Sequence, residues 1–320
     1  MKKVNVALIG LGPVGEFNHL PILYNNKRIN LIAVCDKDKS KLNSVSQKYK
    51  INTYLNFKRM IDENKLDIIV LSSALISLFE ISKYILNKKI NLLCEKPMCI
   101  NHRQAIILNK IAQENKTKYM IGFMKIYDPC TMKLKKLLLK HNKIKKVEYF
   151  SYAGKAFKQK FKSKDKFKNT NQVNKNIKLK KEYLKFINTH SHGIRTLIYL
   201  FGKIRFKNSI KIKNEIQINF QKKFLISFKA GYKFSNFWNE KIILHYNKLK
   251  IILKFESNNI RSKKSILYKI YKNKRIDYNL NKSYSFKTQM NKMISEKKSI
   301  NDVNNIFNLF NFYERIFFNL

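Results

Sequence analysis

The strongest constraint on this chain lies in its first fifteen residues. Residues 4–9 (VNVALI) are a short apolar run with β-branched members, and they pass directly into Gly10-Leu11-Gly12-Pro13-Val14-Gly15. Such a run bounded by glycine reads as a buried strand, and residues 15–25 read as a helix. Each glycine of the GxGxxG turn has a physical task. Gly10 permits the tight turn, Gly12 lets the backbone approach a pyrophosphate, and Gly15 lets the helix pack closely on the strand. The helix N-terminus offers unpaired N–H groups and the positive end of its dipole to phosphates. A second apolar run, 30–35 (NLIAVC), ends at Asp36, 21 residues after Gly15. A carboxylate there accepts hydrogen bonds from ribose hydroxyls. The pattern predicts a dinucleotide site built from Gly10, Gly12, Pro13, Val14, Gly15 and Asp36. The charge of Asp36 repels a ribose 2′-phosphate and favours NAD; Lys37 and Lys39, just beyond, keep NADP open.

The rest of the N-terminal half repeats this grammar. Short apolar runs at 67–71 (DIIVL), 90–94 (INLLC) and 118–123 (KYMIGF) alternate with helically spaced apolar residues at 76–87 and 102–115. Strands alternating with helices indicate βαβ units and a buried parallel sheet. After about residue 123 the runs lengthen and alternate: 145–152, 209–219, 223–230, 241–246 and 249–256. Alternation implies an antiparallel sheet with one wet face. Helices are expected at 183–201, 286–296 and 302–318. The expected architecture is therefore α/β, with a doubly wound Rossmann domain at 1–123 and an α+β domain on a mostly antiparallel sheet at 124–320.

Charge suggests a different partner at first. The 320 residues carry 67 Lys+Arg against 20 Asp+Glu, a formal net of +47. Such a balance suits a polyanion. Yet the chain has no helix-turn-helix, zinc spacing or RNA-recognition signature, and Lys fills positions throughout that need only be polar. A specific nucleic-acid partner is not expected. Residues 155–181 hold eleven Lys and one acid, Asp165, and read as an exposed loop. No stretch approaches the roughly 18 consecutive apolar residues of a membrane span. The N-terminal apolar run reads as a strand, not as a secretory signal. The four cysteines, Cys35, Cys94, Cys99 and Cys130, lack CxxC spacing. No disulfide framework or metal site is expected, and a reducing cytoplasm is the default location.

A second constellation, Glu95-Lys96-Pro97, follows the run 90–94. At the carboxyl end of a strand in a doubly wound sheet, Lys96 stands where ligands bind. It can orient a substrate hydroxyl or shuttle its proton. GxGxxG, a strand-end acid and EKP in that order resemble the Gfo/Idh/MocA (glucose–fructose oxidoreductase / inositol dehydrogenase) family. The segments that carry the resemblance are GLGPVGEFNHLPIL at 10–23, AVCD at 33–36, NLLCEKPMCIN at 91–101 and YMIGFMKIYDP at 119–129. It implies an NAD(P)-dependent oxidoreductase that moves hydride to or from a sugar, sugar-nucleotide or cyclitol carbinol, with a C-terminal substrate and oligomerisation domain on an open, mostly antiparallel sheet, and a dimer or tetramer. It assigns Lys96 a catalytic or substrate-orienting role and puts Glu95 at the nicotinamide end.

Further along, Asn188-Thr-His-Ser-His192-Gly-Ile-Arg195 resembles the family's helix-start motif and puts His192 on its catalytic histidine. Asn188 then meets a sugar hydroxyl, and His190 is a second candidate for substrate contact. The chain departs from the family pattern at several points. Asn188 replaces a frequent Asp, and Arg195 replaces an acid. Ile126 sits where Arg is common. Residues 72–78 (SSALISL) replace a segment carrying Thr-Pro and His, leaving Ser72 to meet the cofactor. These departures motivate an alternative reading, a dinucleotide-binding relative with weakened catalysis and a binding or regulatory role.

Overall fold

A computed structural model of the chain describes residues 3–140, 143–154, 181–212, 215–232, 238–255, 264–281, 284–297 and 302–318. The expected lysine-rich loop at 155–181 lies outside the described residues, except that Lys181 begins a helix. The described residues form two units. One comprises Met1–Met124 and Phe286–Asn311; the other comprises Lys125–Ser285 and Phe312–Leu320. The stretch that closes the chain therefore divides, and most of it belongs with the N-terminal residues.

The first unit is built on β1 (Val4–Ile9), β2 (Ile29–Cys35), β3 (Asn52–Tyr54), β4 (Ile68–Leu71), β5 (Asn91–Cys94) and β6 (Tyr119–Ile121). All pairs are parallel, in the order β3-β2-β1-β4-β5-β6. The order reverses between β1 and β4, which opens a crevice at the carboxyl ends of those strands. The central strands are largely apolar because both faces are covered; β4 is apolar and buried along its whole length. One core gathers Val6, Leu8, Val34, Val70 and Leu93 with Leu20, Leu42 and Met290.

Helices connect these strands. They are α1 (Leu20–Tyr24), α2 (Lys39–Tyr49), α3 (Phe57–Asp62), α4 (Leu75–Asn87) and α5 (His102–Glu114). Asp38, Asn56 and Asn101 cap α2, α3 and α5, each accepting from backbone N–H groups of the first turn. Asn52–Tyr54, α2 and α3 carry weak apolar periodicity and were not expected as elements.

The second unit carries an eight-stranded sheet. Its strands are β7 (Lys146–Ala153), β8 (Arg205–Ile212), β9 (Glu215–Gln221), β10 (Leu225–Tyr232), β11 (Asn239–His245), β12 (Leu249–Phe255), β13 (Ile266–Tyr271) and β14 (Lys274–Asp277). Their order is β14-β13-β12-β11-β7-β10-β9-β8. Only β7 and β10 run parallel; the other pairs are antiparallel. The alternation holds: Val147, Tyr149, Phe228, Ile242 and Leu244 are fully buried on one face. On the other, Glu148 pairs with Lys146 at 3.0 Å and with His245 at 2.8 Å. The single strand expected at 209–219 is two strands, Arg205–Ile212 and Glu215–Gln221, paired antiparallel. The alternation of Ile210 and Ile212 continues in Ile216 and Ile218, so the pattern carries no sign of the change of direction. Two helices of this unit are α6 (Pro129–Lys140) and α7 (Lys181–Phe201). No described helix is long and apolar enough to cross a membrane.

Three further helices end the chain: α8 (Ser285–Ser295), α9 (Val303–Ile306) and α10 (Leu309–Phe318). Within the first unit, α8 is fastened by one cation. Lys118 Nζ donates to the carbonyls of Lys292 and Met293, each at 2.9 Å, and of Glu296. A cation on the last carbonyls of a helix meets its dipole favourably. Burial holds the Lys118 amine below its ordinary value, and Asp302 and Glu296 oppose that shift. Lys118→Met is expected to cost about 1–2 kcal/mol, read as a lower Tm and earlier proteolysis within 286–297. Unchanged values for both would show that α8 is held by its apolar face alone.

Candidate active site

The glycine turn is fitted to its neighbours at two positions and open at the third. Gly10 has φ +97°, and a Cβ there would stand 2.3 Å from the Ser72 carbonyl oxygen. A Cβ on Gly15 would stand 2.0 Å from the Gly10 carbonyl oxygen. Both glycines are required by the fold itself. Gly12 is different: nothing lies nearer than 4.0 Å to the Cβ it lacks, and its φ is not positive. Nothing in this unit explains a glycine there, whereas a phosphate group approaching the backbone does. Pro13 and Val14 follow, and Glu16 N donates to Gly12 O at 2.9 Å. The next residues, Gly15–His19, make a π-type turn that runs into α1.

Asp36 stands at the carboxyl end of β2, half-buried. One carboxylate oxygen accepts from Leu11 N at 2.5 Å and the other from Asp38 N at 2.9 Å. The acid is thereby tied to the glycine turn, and each oxygen keeps a lone pair for a further donor. Lys37 and Lys39 are exposed. The cation that reaches the turn is Lys41, whose Nζ donates to Leu11 O at 3.1 Å. Sequence reasoning passed over it; its signal is its place in the first turn of α2, three residues after the capping Asp38. Ser72 N donates to Ile9 O at 2.7 Å, and its carbonyl faces Gly10. These residues fit a bound dinucleotide: a positive-φ turn, an open Gly12, a helix start and a strand-end carboxylate.

Beyond β5, Glu95 N donates to Leu71 O at 2.8 Å. The Glu95 side chain turns inward: Oε1 lies 2.7 Å from His19 Nε2, and Oε2 accepts from Lys96 N at 3.2 Å. Lys96 is half-buried, and its peptide bond to Pro97 is cis. The structure thus brings Gly10, Gly12, Gly15, Ser72, Asp36, Glu95 and Lys96 to the carboxyl edge of one sheet. His19 completes this set and was not singled out from sequence.

Asn188 and His192 belong to the second unit. They are four residues apart in α7 and share one face of it. Asn188 is half-buried and His192 is 8 % exposed. The expected helix opening is corrected here, because α7 begins at Lys181 and both residues lie in its interior. The apolar and aromatic residues Tyr183, Leu184, Phe186 and Ile187 extend the helix upstream of the motif. His190 points elsewhere: its Nδ1 is 2.9 Å from Ser151 Oγ, and its ring lies 6.4 Å from that of Trp238. Gly193 lets α7 settle on the sheet, since a Cβ there would come 2.5 Å from the Phe228 ring. Burial pulls the Arg195 guanidinium down to about 10, an effect opposed by Tyr127, Tyr313 and Tyr199. Ile126 is core, 1 % exposed.

Next to Ile126, sequence reasoning missed an ion pair. Lys125 and Glu240 are both buried and pair directly. Tyr149 donates to the same carboxylate, as does Trp238 Nε1 at 2.5 Å. Burial lowers the Lys125 amine and the Glu240 charge opposes it; burial and Glu240 together push the Tyr149 phenol far up. A lone Lys inside the apolar run IGFMKIY was the available signal.

The strand order and glycine turn define the first unit as a dinucleotide-binding Rossmann domain. Residues 4–123 match the model of the Gfo/Idh/MocA family, described as an oxidoreductase family with an NAD-binding Rossmann fold. An oxidoreductase of Formosa agariphila is 24 % identical over 137 residues, covering 42 % of this chain and 43 % of that protein. The match thus spans less than half of that relative.

Solved structures share the fold across nearly the whole chain. A dehydrogenase (MviM) from Clostridium difficile superposes with TM-score 0.79 at 16 % identity, covering 100 % of both chains. A myo-inositol 2-dehydrogenase from Lactobacillus plantarum gives 0.75 at 16 %, covering 98 % of this chain and 96 % of the other. A 3-ketoreductase from Actinomadura kijaniata, in complex with NADP and TDP-benzene, gives 0.80 at 11 %, covering 98 % and 97 %.

Two sets of variants test this geometry. Gly10→Ala is expected to lose at least about 2 kcal/mol of stability, whereas Gly12→Ala stays within about 0.5 kcal/mol of the parent. Equal losses in urea denaturation would contradict the difference between the two glycines. Glu240→Leu should cost about 3–5 kcal/mol by stranding the Lys125 charge, and adding Lys125→Met should recover most of it. Additive losses would mean the two residues do not act as a pair.

Proposed function

We propose that the chain is an NAD(P)-dependent oxidoreductase, with NAD preferred, acting on a hydroxyl or ketone carbon of a sugar, sugar nucleotide or cyclitol. The observation that carries this reading is the open Gly12, a glycine that the fold does not need, set beside the strand-end Asp36. When bound, the nicotinamide accepts or donates the hydride. This chain's residues do the rest. The glycine turn and Asp36 hold the dinucleotide by its phosphates and ribose. Lys96 orients and polarises the reacting oxygen. The ring of His192 takes the hydroxyl proton in oxidation and returns it in reduction. Asn188, one helical turn before it, hydrogen-bonds a neighbouring hydroxyl without carrying charge. Residues 131–320 hold 46 basic residues against 10 acids. That excess favours a phosphorylated substrate such as a sugar nucleotide, in line with the TDP compound bound by the A. kijaniata ketoreductase. A dimer or tetramer belongs to the same proposal and is measured by light scattering.

The test combines binding and turnover. NADH fluorescence titration is expected to saturate, and Gly12→Ala should weaken it at least about tenfold. NAD reduction is then assayed with myo-inositol, glucose and UDP- and dTDP-sugars. Lys96→Ala and His192→Ala are each expected to lower kcat at least about a hundredfold. Saturable NADH binding with no turnover on any compound would favour the alternative, a binding or regulatory relative. The substitutions at Asn188, Arg195 and Ile126 are its motivation. No NADH binding at all would overturn both readings.

A further inference from the structure

His19 is the last residue of the π-type turn that follows the glycine loop, and it is 2 % exposed. A turn of that kind carries one residue more than an α-helical turn. Here it leaves Asn18 and His19, consecutive residues, both buried. The His19 ring stands edge-on against Phe286, with centroids 5.3 Å apart and planes at 90°. Its Nε2 meets Glu95 Oε1 at 2.7 Å.

Glu95 is enclosed on three sides. His19 takes one carboxylate oxygen, and Lys96 N donates to the other at 3.2 Å. The third side is Gly122, where a Cβ would come within 2.9 Å of the carboxylate carbon and both oxygens. A carboxylate taken out of water needs its donors, and two of them with one steric wall define a single rotamer. Because the second donor is the amide of Lys96 itself, the direction of the chain at Lys96 depends on where that carboxylate sits. Without His19, the cheapest response is for Glu95 to swing towards water, which turns the Glu95–Lys96–Pro97 segment with it.

The position of this cluster gives it a function. Asp36 lies at the end of β2, on one side of the crevice between β1 and β4; Glu95 lies at the end of β5, on the other. In a doubly wound sheet of this order the adenine half of a dinucleotide occupies the first side and the nicotinamide half the second. We infer that His19 is a positioning residue for the nicotinamide half, acting through Glu95 on the Glu95–Lys96–Pro97 turn. The inference rests on the dinucleotide reading above. It joins the helix that faces the phosphates to the turn that faces the nicotinamide through one buried hydrogen bond.

The test separates the two halves of the cofactor without needing the substrate. NADH and ADP-ribose, which lacks the nicotinamide, are titrated against the full chain, His19→Leu, His19→Gln and Gly122→Ala. Leu fills the space without a donor; Gln offers an amide N–H at similar reach. His19→Leu is expected to weaken NADH about tenfold and leave ADP-ribose within about twofold, while His19→Gln stays within about threefold of the parent for both. Gly122→Ala, which displaces the same carboxylate from its other side, is expected to repeat the NADH-selective loss. Equal losses for both ligands in His19→Leu would reduce His19 to a packing residue and overturn the inference. Unchanged NADH affinity in His19→Leu, or in Gly122→Ala, would overturn it as well. A parent protein that binds neither ligand overturns the dinucleotide reading itself, a result distinct from any of these.

Discussion

The first unit depends on the close approach of Gly10 to Ser72. A turn at the end of β1 is pressed against the end of β4 so closely that a methyl group would not fit. That contact brings the two strands to a common edge at the point where the sheet order reverses. Everything proposed for the cofactor is arranged about it. The helix start lies ahead of it, Asp36 is bonded back to Leu11 on one side, and Glu95 hangs from Leu71 on the other. Steric necessity at Gly10 and Gly15 thus creates the framework, and Gly12, which that framework leaves open, is where the proposed dinucleotide would approach it.

The site has an inner layer that is more constrained than its outer one. Ser72, Glu95 and His19 are buried and each is held by a named backbone or side-chain partner. Lys96 and Asp36, in the same unit, are half-buried. Such a division suits a site in which rigid groups set direction and accessible groups meet ligand. Charge follows a similar division. Most of the described lysines lie on exposed positions, whereas Lys118 and Lys125 are committed to carbonyls or to Glu240. The net charge of the chain therefore says little about its architecture.

The sequence made the central strands legible because their apolar runs are bounded by glycine, acid or polar residues: 4–9, 67–71 and 90–94 match β1, β4 and β5 to within a residue. Asn52–Tyr54 escaped notice because three residues at a sheet edge carry no periodicity. The antiparallel strands β8 and β9 were read as one because alternation continues from the first into the second. Lys96, Asp36 and the glycines were found because their spacing along the chain reflects their place on the sheet. His19 and Glu95 are 76 residues apart and Lys125 and Glu240 are 115 apart. Neither partner announces the other, and only folding reveals the pair.

The return of Phe286–Asn311 to the first unit has a consequence for how this protein is made. Met290 and Met293 complete the core over β1 and β4, and Phe286 covers His19. A ribosome that has synthesised all six parallel strands has still not produced the residues that close the domain. The intervening 161 residues, Lys125–Ser285, must emerge first. Such contacts carry a long loop-closure cost and form late. The nascent first unit is thus exposed along one apolar face for the time needed to translate the second, and that face closes only after Phe286–Asn311 has emerged.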